Sequence, residues 1–257
     1  MSKPLATCLC CTYGRPVLLG EAIKCFIDQD YDNKELIVLN DRVDVTLKME
    51  NCPDNIKIIN YPTRFESLGA KRNYIKTLGN GDYYFIWDDD DLFTPWRIRK
   101  SIENIVGSSH DIVKAKYALM SINNKNYMMV NNLFHSQACI AKKYMQKTFY
   151  PNDKSVGEDM DFEKKAMIDS PDLTPKFLYV YRWGQNIHHL SGITDNKKTW
   201  EKSLSFEPYK SYSGEVIIKP EFQNNYWLDI GYFLSKMSEK NGREWEEEIK
   251  NSRRQNV

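Results

Sequence analysis

Four consecutive aspartates, Asp88–Asp91, are the stretch of this sequence most suited to chemistry, and they directly follow an apolar run at 83–87. Adjacent carboxylates repel one another, so such a row costs stability unless a cation compensates for its charge. Hard cations such as Mg²⁺ and Mn²⁺ prefer carboxylate oxygens and often bind substrate phosphates as well. The row therefore predicts a divalent metal site, and the alternative is a solvated acidic turn.

Apolar patterns predict the elements that would position this aspartate row. Buried strands are expected at 5–12, 35–39, 56–60 and 83–87, and helices at 17–27, at 67–78 and after Pro95. This alternation is typical of a Rossmann-like, doubly wound α/β fold, a mostly parallel sheet with helices on both faces. Such sheets bind ligands at the carboxyl ends of their strands, where Asp41 and the aspartate row both fall.

The second half of the chain is less regular. Strands are expected at 111–120, 128–130, 136–141 and 177–182, and helices at 158–168, 225–239 and 243–254. No internal repeat, low-complexity linker or sharp domain boundary is visible. The chain is therefore expected to form one large domain, or one domain with an appended piece, that ends in a helical tail.

Composition argues against several classes of protein. The 257 residues include 36 basic and 35 acidic side chains, whereas a duplex-DNA binder usually has a basic surplus, although a local basic patch is compatible with this total. No apolar run reaches the ~18 residues of a membrane-spanning helix, and the N-terminus has no cleavage-site pattern, so we expect a cytoplasmic protein. The six cysteines match no zinc template and are interpreted as small buried hydrophobes in a reducing compartment.

A series of short motifs, in order along the chain, resembles the glycosyltransferases of family 2 with the GT-A fold. The motifs are Cys11–Pro16, Gln29–Tyr31, Glu35–Asp41, Lys71–Asn73, Asp88–Asp91 followed by Pro95, and Gly157–Asp159. The likeness is dense over residues 5–100 and patchy beyond them. Two positions depart from the family pattern: Gly14 stands where Asn is common, and Asn40–Asp41 replaces an Asp-Asp pair.

The resemblance implies a metal-dependent, inverting transfer of a sugar from a nucleoside-diphosphate donor, expected to be a UDP-sugar, to a hydroxyl group. The expected cofactor is Mn²⁺ or Mg²⁺. The acceptor is expected to be a glycan or, alternatively, a modified DNA base. Residues 1–120 would bind the donor, 121–200 would bind the acceptor and supply the catalytic base, and 201–257 would form the helical extension.

The same resemblance assigns the donor site residue by residue. Thr12 and Asp41 would contact the nucleotide base, with Arg15 in the same pocket or, as an equal alternative, in a surface ion pair. Arg72 would bind the base or the diphosphate, because a guanidinium offers paired, permanently charged donors. Within the aspartate row, the roles are the ribose for Asp88, the metal for Asp90, and metal support or a helix cap at Pro95 for Asp89 and Asp91.

Further candidates lie in the second half of the chain. Asp159 is the expected general base and Glu158 the second candidate, with helix-start carboxylates favoured by the macrodipole as the alternative. Arg182 is a candidate phosphate ligand. One of His188 and His189 would bind the metal or cover the diphosphate, although a loop histidine often does neither.

Two other functions stay open at this point. A nucleotidyltransferase could share the α/β sheet, but such enzymes usually carry a glycine-rich phosphate loop, and the turn at 13–16 has a single glycine. A non-catalytic sugar- or nucleotide-binding module would be expected to lose carboxylates that this chain retains. Basic residues at 243–254 suggest a nucleic-acid or membrane contact, but the interspersed glutamates favour an ordinary solvated helix.

Overall fold

The structure of the chain is a computed structural model that describes residues 2–122, 126–131, 134–173, 176–183 and 212–222, together with 226, 230 and 231. Its strands are β1 Ala6–Thr12, β2 Lys34–Asn40, β3 Val45–Lys48, β4 Ile56–Asn60, β5 Tyr83–Ile86, β6 Leu92–Phe93, β7 Ile112–Val113, β8 Tyr117–Ile122, β9 Asn126–Asn131, β10 Cys139–Ala141, β11 Ile168–Asp169, β12 Tyr179–Trp183 and β13 Gly214–Ile217. Its α-helices are α1 Pro16–Ile27, α2 Leu68–Ile75, α3 Arg97–Ile105, α4 Lys142–Lys147 and α5 Glu158–Glu163, and 3₁₀ turns lie at Lys76–Leu78 and His135–Gln137.

The central sheet has the strand order β11-β7-β10-β5-β1-β2-β4. The pairs β5–β1, β1–β2 and β2–β4 are parallel, whereas β10 runs antiparallel to both of its neighbours. This arrangement confirms the predicted α/β fold with a mostly parallel sheet. The inner strands β1 and β5 are almost wholly buried, as expected where both faces of a parallel sheet are covered, whereas the edge strand β4 is partly exposed.

Strand register brings the predicted site residues to one edge of this sheet. Thr12 at the end of β1 pairs with Asn40 at the end of β2, and Asn40 pairs with Asn60 at the end of β4. Beyond β5, the backbone N–H of Trp87 donates to the carbonyl of Leu9 at 2.9 Å, so the chain enters the aspartate row beside β1. Segments far apart in the sequence therefore end side by side.

Helix α2 directs cations toward this edge. Ser67 begins the helix as its N-cap, accepting a hydrogen bond from the backbone N–H of Ala70 at 3.0 Å. The face that α2 buries includes Lys71, Arg72 and Ile75. Charged side chains rarely lie inside a protein without partners, so this face indicates carboxylates opposite it.

Several predicted elements differ from those observed. The strand expected at 111–120 is two strands in different sheets, because β7 belongs to the central sheet and β8 to a second sheet of order β6-β12-β8-β9. Between them, the Lys114 ammonium turns inward and binds Glu163 at 2.5 Å. The helix expected at 158–168 ends at Glu163, and Ile168 pairs with Ile112 instead. Apolar spacing does not reveal a change of sheet within one continuous run.

Short strands escaped prediction altogether. These are β3, β6, β11 and β13, and β13 pairs with β3 as a separate two-stranded sheet. The predicted tail helices at 225–239 and 243–254 lie largely outside the described residues, as does the loop that holds His188 and His189. The division into segments 1–120, 121–200 and 201–257 stays a prediction.

The cysteines agree only in part with the prediction that they are small buried hydrophobes. All six cysteines are free thiols; Cys8, Cys10, Cys25 and Cys139 are buried, whereas Cys52 is exposed. Burial raises the pKa of the Cys8 and Cys25 thiols to about 12, so both stay protonated. Over the part of the chain that the structure describes, no helix combines the length and apolarity needed to cross a bilayer.

Candidate active site at the carboxyl ends of the central strands

The aspartate row lies inside the protein, not on a solvated turn. Asp89 and Asp91 are buried, Asp90 is only 6% exposed, and Asp88 is partly exposed. Aromatic side chains on either side, Trp87 and Phe93, are fully buried. The alternative of a solvated acidic turn is therefore not what the structure has.

Arg15 supplies much of the charge compensation for the row. Its Nε donates to Asp89 at 2.8 Å and its Nη1 to Asp90 at 2.8 Å, while the hydroxyl of Thr12 donates to Asp89 at 2.5 Å. The position of Arg15 follows from Pro16, which begins α1 directly after it. The protein thus supplies part of the compensating charge itself, and the predicted metal ion stays a prediction.

Asp91 points away from the other three carboxylates. It accepts from the hydroxyl of Tyr179 at 2.5 Å and from the backbone N–H of Arg182 at 3.0 Å, both on β12. Burial, together with the charges of Asp90 and Asp88, raises the pKa of Asp91 well above its ordinary value. The N-cap of α3 is Trp96, without a side-chain hydrogen bond, so Asp91 does not cap that helix.

Arg182 lies beneath the row. Its Nη1 donates to Glu21 of α1 at 2.5 Å, and both side chains are 1% exposed. Its Nε donates to the backbone carbonyl of Asp90 at 2.5 Å. These contacts account for Arg182 as a support of the row's backbone, and its predicted phosphate role stays a prediction.

Arg72 joins the row to α5. Its Nη2 lies 3.4 Å from Asp88, and its Nε lies 3.3 Å from Glu158 in an ion pair without hydrogen-bond alignment. Burial disfavours the charge of Arg72, but Asp88 and Glu158 outweigh it and raise the pKa of Arg72 above its ordinary value. Asp88 also accepts from the hydroxyl of Ser136, which the sequence did not suggest as a site residue.

Asp41 is held by the residue next to Arg72. The Lys71 ammonium lies 2.5 Å from Asp41 and also donates to the carbonyl of Thr12 at 2.5 Å. The backbone N–H of Phe65 donates to the second oxygen of Asp41 at 3.1 Å. Lys71 was not predicted as a site residue. Its position next to Arg72, on a helix expected to face the site, could have indicated it.

The two departures from the family pattern have structural reasons. The amide of Asn40 donates to the carbonyl of Val45 at 2.8 Å and to Asn60 at 3.0 Å, which a carboxylate cannot do. Its oxygen accepts from the backbone N–H groups of Gly14 and Arg42, each at 3.1 Å. Gly14 has a φ of +63°, in the left-handed region that glycine and asparagine tolerate. Asn40 therefore organises the loops around Asp41.

Aromatic rings border the same pocket. The guanidinium of Arg64 lies 4.2 Å from the ring centre of Tyr13, which follows Thr12 in the chain. On the loop that contacts Asp41, Phe65 stacks on Tyr61 at 4.5 Å. Flat apolar faces beside a hydrogen-bonding carboxylate are suited to a planar heterocycle.

The two carboxylates at the start of α5 differ in accessibility. Gly157, with a φ of +74°, precedes the helix in the left-handed region. Glu158 is 4% exposed and paired with Arg72, whereas Asp159 is partly exposed and accepts from the backbone N–H of Met160 at 2.8 Å. Asp159 is therefore the carboxylate available to a ligand.

The donor set limits how a metal ion would be held. Among the described residues, no group of three or more His, Cys, Asp and Glu side chains converges on one point. Asp88 and Asp90 remain carboxylate donors at the edge of the sheet. Mg²⁺ is often bound by one or two carboxylates, with water and substrate phosphates completing its shell. The residues present fit an ion that arrives with a diphosphate, and they do not form a complete protein cage.

Comparison with known proteins decides the family. The model of glycosyl transferase family 2 matches residues 7–166. The chain belongs to this family. The prediction of a glycosyltransferase is thereby confirmed at the level of the family. An uncharacterized glycosyltransferase of Haemophilus influenzae is 30% identical over 121 residues, a stretch that is 44% of this chain and 36% of that relative.

Solved structures agree on the fold. S. aureus TarS 1–349 in complex with UDP-GlcNAc matches with a TM-score of 0.58 and 14% identity, over 92% of this chain and 82% of TarS 1–349. The same segment in complex with UDP matches with a TM-score of 0.55 and 15% identity, over the same shares of both chains. At identities this low, the TM-scores show that the two chains share a fold and nothing more.

Proposed function

We propose that this family member transfers a sugar from a nucleoside-diphosphate sugar, expected to be a UDP-sugar, to a hydroxyl acceptor, with a divalent ion at Asp90. The observation that carries the proposal is the meeting of Thr12, Asp41 and Asp88 at one sheet edge, opposite the cations of α2. Carboxylates would bind base and ribose there, while guanidinium groups face the phosphates.

The base would bind between Thr12 and Asp41. Asp41 keeps an accepting carboxylate although Lys71 and Phe65 contact it, since each oxygen can accept more than one hydrogen bond. The rings beside it suit a planar base. Complexes of the similarly folded TarS segment with UDP and UDP-GlcNAc favour uracil as that base.

Charge on the departing diphosphate is met by residues that already surround the row. Asp90, with Asp88 beside it, would hold a divalent ion, which would supply Lewis-acid stabilisation of the leaving diphosphate. The guanidinium of Arg15, already bound to Asp89 and Asp90, places a positive charge beside the departing diphosphate. Arg72 lies between Asp88 and Glu158, where it can turn one edge toward a phosphate.

Asp159 is the proposed general base. Its partly exposed carboxylate takes the proton of the acceptor hydroxyl as that oxygen bonds to the anomeric carbon and the bond to the diphosphate breaks. Glu158 is less suited, because Arg72 holds it as a buried counter-ion. Direct attack with a single base implies inversion at the anomeric carbon.

The acceptor stays a glycan or, alternatively, a modified DNA base. Residues 184–200 of the predicted acceptor segment 121–200 lie outside the described residues, and so do His188 and His189, the candidates for binding the metal or covering the diphosphate. A non-catalytic module is the second candidate function, and the pairing of Arg15 with Asp89 and Asp90 supports it, because that pairing offsets part of the row's charge without a metal ion. A nucleotidyltransferase is not favoured, because the family match is to glycosyltransferases.

Donor hydrolysis tests the proposal without knowledge of the acceptor. UDP release from UDP-sugars is measured with Mn²⁺ and with chelator, for the parent protein and for Asp90→Asn and Asp159→Asn. Release should require Mn²⁺ and fall by about 100-fold or more in each variant, in line with general-base and metal contributions. Parental release by Asp159→Asn would exclude it as the base, and release without metal would exclude the ion.

A thermal-shift screen separates binding from chemistry. Among nucleoside diphosphates with Mn²⁺, UDP should give the largest shift, because a ligand stabilises only the folded state. Asp90→Asn should lose the Mn²⁺-dependent part of that shift. A bound UDP with no turnover under any condition would favour the non-catalytic module.

A further inference from the structure

A buried network of hydrogen-bonded side chains, formed by Lys114, His135, Tyr150 and Glu163, links α5 to the rest of the site. Glu163, at the end of α5, accepts from the Lys114 ammonium at 2.5 Å and lies 2.5 Å from Nδ1 of His135. Nε2 of His135 lies 2.7 Å from the hydroxyl of Tyr150. Four segments distant in sequence therefore meet at one imidazole, which is 4% exposed.

The same short turn also carries the partner of Asp88. Ser136, next to His135, donates its hydroxyl to Asp88, and its carbonyl accepts from the guanidinium of Arg97 at 2.5 Å. Arg97 is fully buried, stacked 4.3 Å from the ring centre of Phe93. The 3₁₀ turn His135–Gln137 is thus held from below by Arg97 and from the side by Glu163.

Tyr150 connects this network to α2. Its ring stacks on Phe162 of α5 at 4.1 Å, and the guanidinium of Arg72 lies 5.8 Å from its centre. Its backbone N–H donates to the side-chain oxygen of Asn73 on α2 at 3.0 Å, which holds this part of the chain beside α2. Burial raises the pKa of Tyr150 well above its ordinary value, so the hydroxyl keeps its proton.

Burial and neighbouring charges act on Glu163 in opposite directions. Burial alone would raise the pKa of Glu163, but the hydrogen bonds and charges of His135 and Lys114 outweigh it and lower that pKa. Nδ1 of His135 faces the Glu163 carboxylate and Nε2 faces the Tyr150 hydroxyl, both within hydrogen-bond distance. Each polar atom of the ring then has a partner, which fixes the ring's orientation.

We propose that His135 is a positioning residue that locks the helix bearing Asp159 against the Asp88 side of the site, through Glu163 on α5 and Tyr150 beside Arg72. The inference rests on the proposed function, because it concerns the placement of the proposed base. Glu163 is one helical turn beyond Asp159, so a shift at Glu163 is transmitted to Asp159 through the helix backbone. Catalytic groups that drift by about 1 Å lose rate while distant donor contacts persist.

The sharpest test removes a single atom or a single charge from this hydrogen-bonded network. Tyr150→Phe loses only the oxygen bound to His135 and keeps the rings stacked on Phe162, and Glu163→Gln keeps an acceptor for Nδ1. We expect kcat for UDP-sugar hydrolysis to fall by about 10-fold in each, with KM and the UDP Kd within about two-fold of the parent. Glu163→Ala should lose more than Glu163→Gln.

The matched control lies on the same helix. Asp161→Asn removes an ion pair with Lys154 on the exposed side of α5, and kcat should stay at the parental value. Parental kcat in Tyr150→Phe and Glu163→Gln would overturn the inference, and so would an effect confined to KM or Kd. If Asp159→Asn hydrolyses the donor like the parent, the proposed function fails instead, and this outcome is independent of the other variants.

Discussion

The two walls of the candidate site are built by different means. One wall, which we call the donor wall, comprises residues 12–15, 41 and 88–91 at the carboxyl ends of β1, β2 and β5. The other, the α5 wall, comprises residues 134–137 and 148–163, which belong to loops, a 3₁₀ turn and two turns of helix or fewer. The donor wall is positioned by strand register, whereas the α5 wall is positioned by buried side-chain pairs.

This difference explains where each wall is vulnerable. Backbone hydrogen bonds of a buried parallel sheet survive most side-chain changes, so the donor wall depends on few individual residues for its position. It does depend on charge balance, because four of its five aspartates, Asp41, Asp89, Asp90 and Asp91, are buried. The α5 wall contributes no residue to a strand, although its Phe162 packs in one apolar cluster with side chains of the central sheet, and it relies on pairs such as Lys114–Glu163 for its position.

The largest effect is expected beneath the donor wall. Glu21→Leu leaves the guanidinium of Arg182 buried without its counter-ion and should lower the free energy of unfolding by about 3–5 kcal/mol. Urea denaturation measures the loss. The double variant Glu21→Leu with Arg182→Met removes both charges and should regain most of it.

That double variant also decides between two roles of Arg182. If Arg182 only supports the row, UDP affinity in the double variant should match that of the parent. Weak UDP binding at parental stability would support the predicted phosphate contact.

Arg72 spans the gap between the walls, so its removal should affect both. Arg72→Met leaves Glu158 buried without a cation and should cost about 3 kcal/mol of stability, together with weaker UDP binding. Urea denaturation and calorimetric titration report the two effects. Arg99→Met, which breaks a pair with Asp30 nearer the surface, should cost at most about 1 kcal/mol. Equal losses in the two variants would contradict the special position of Arg72.

Asn40 tests whether the donor wall needs an amide or tolerates the acid that is common in the family. Asn40→Asp loses the hydrogen bonds donated to Val45 and Asn60 and should cost about 2 kcal/mol. The unfolding midpoint in urea is the measurement. Asn55→Asp, which loses one hydrogen bond to the Lys34 carbonyl in a partly exposed loop, is the milder counterpart.

The last comparison concerns pH. Because the folded-state pKa of Asp91 is raised, the folded protein holds a proton that the unfolded chain releases, and this stabilising contribution is lost as pH rises above the unfolded pKa of about 4. Asp91→Asn lacks this loss, so its stability relative to the parent should increase between about pH 5 and pH 8.

Urea midpoints at several pH values in that range give the comparison. Asp161→Asn, on the exposed side of α5, should run parallel to the parent there. A parallel curve for Asp91→Asn would mean that Asp91 is ionised in the folded protein.

Much of the donor wall was predictable from local patterns. Apolar runs predicted β1, β2, β4 and β5 within a residue or two, since strands buried on both faces leave continuous apolar stretches. The aspartate row and Asp41 then fell at carboxyl ends by chain order alone. The partners of these carboxylates were not predictable in the same way, because Thr12, Arg15 and Asp89 meet across more than seventy residues.

The sequence by itself determined which residue types reach the sheet edge, because strand length and register translate position in the chain into position in space. Only the tertiary structure decided how each is used. It turned Asp91 toward Tyr179 and away from the site, gave Arg15 to the aspartate row, and joined His135 to Glu163 and Tyr150. Such pairings depend on side-chain directions between distant segments, and periodicity along a single segment carries no record of them.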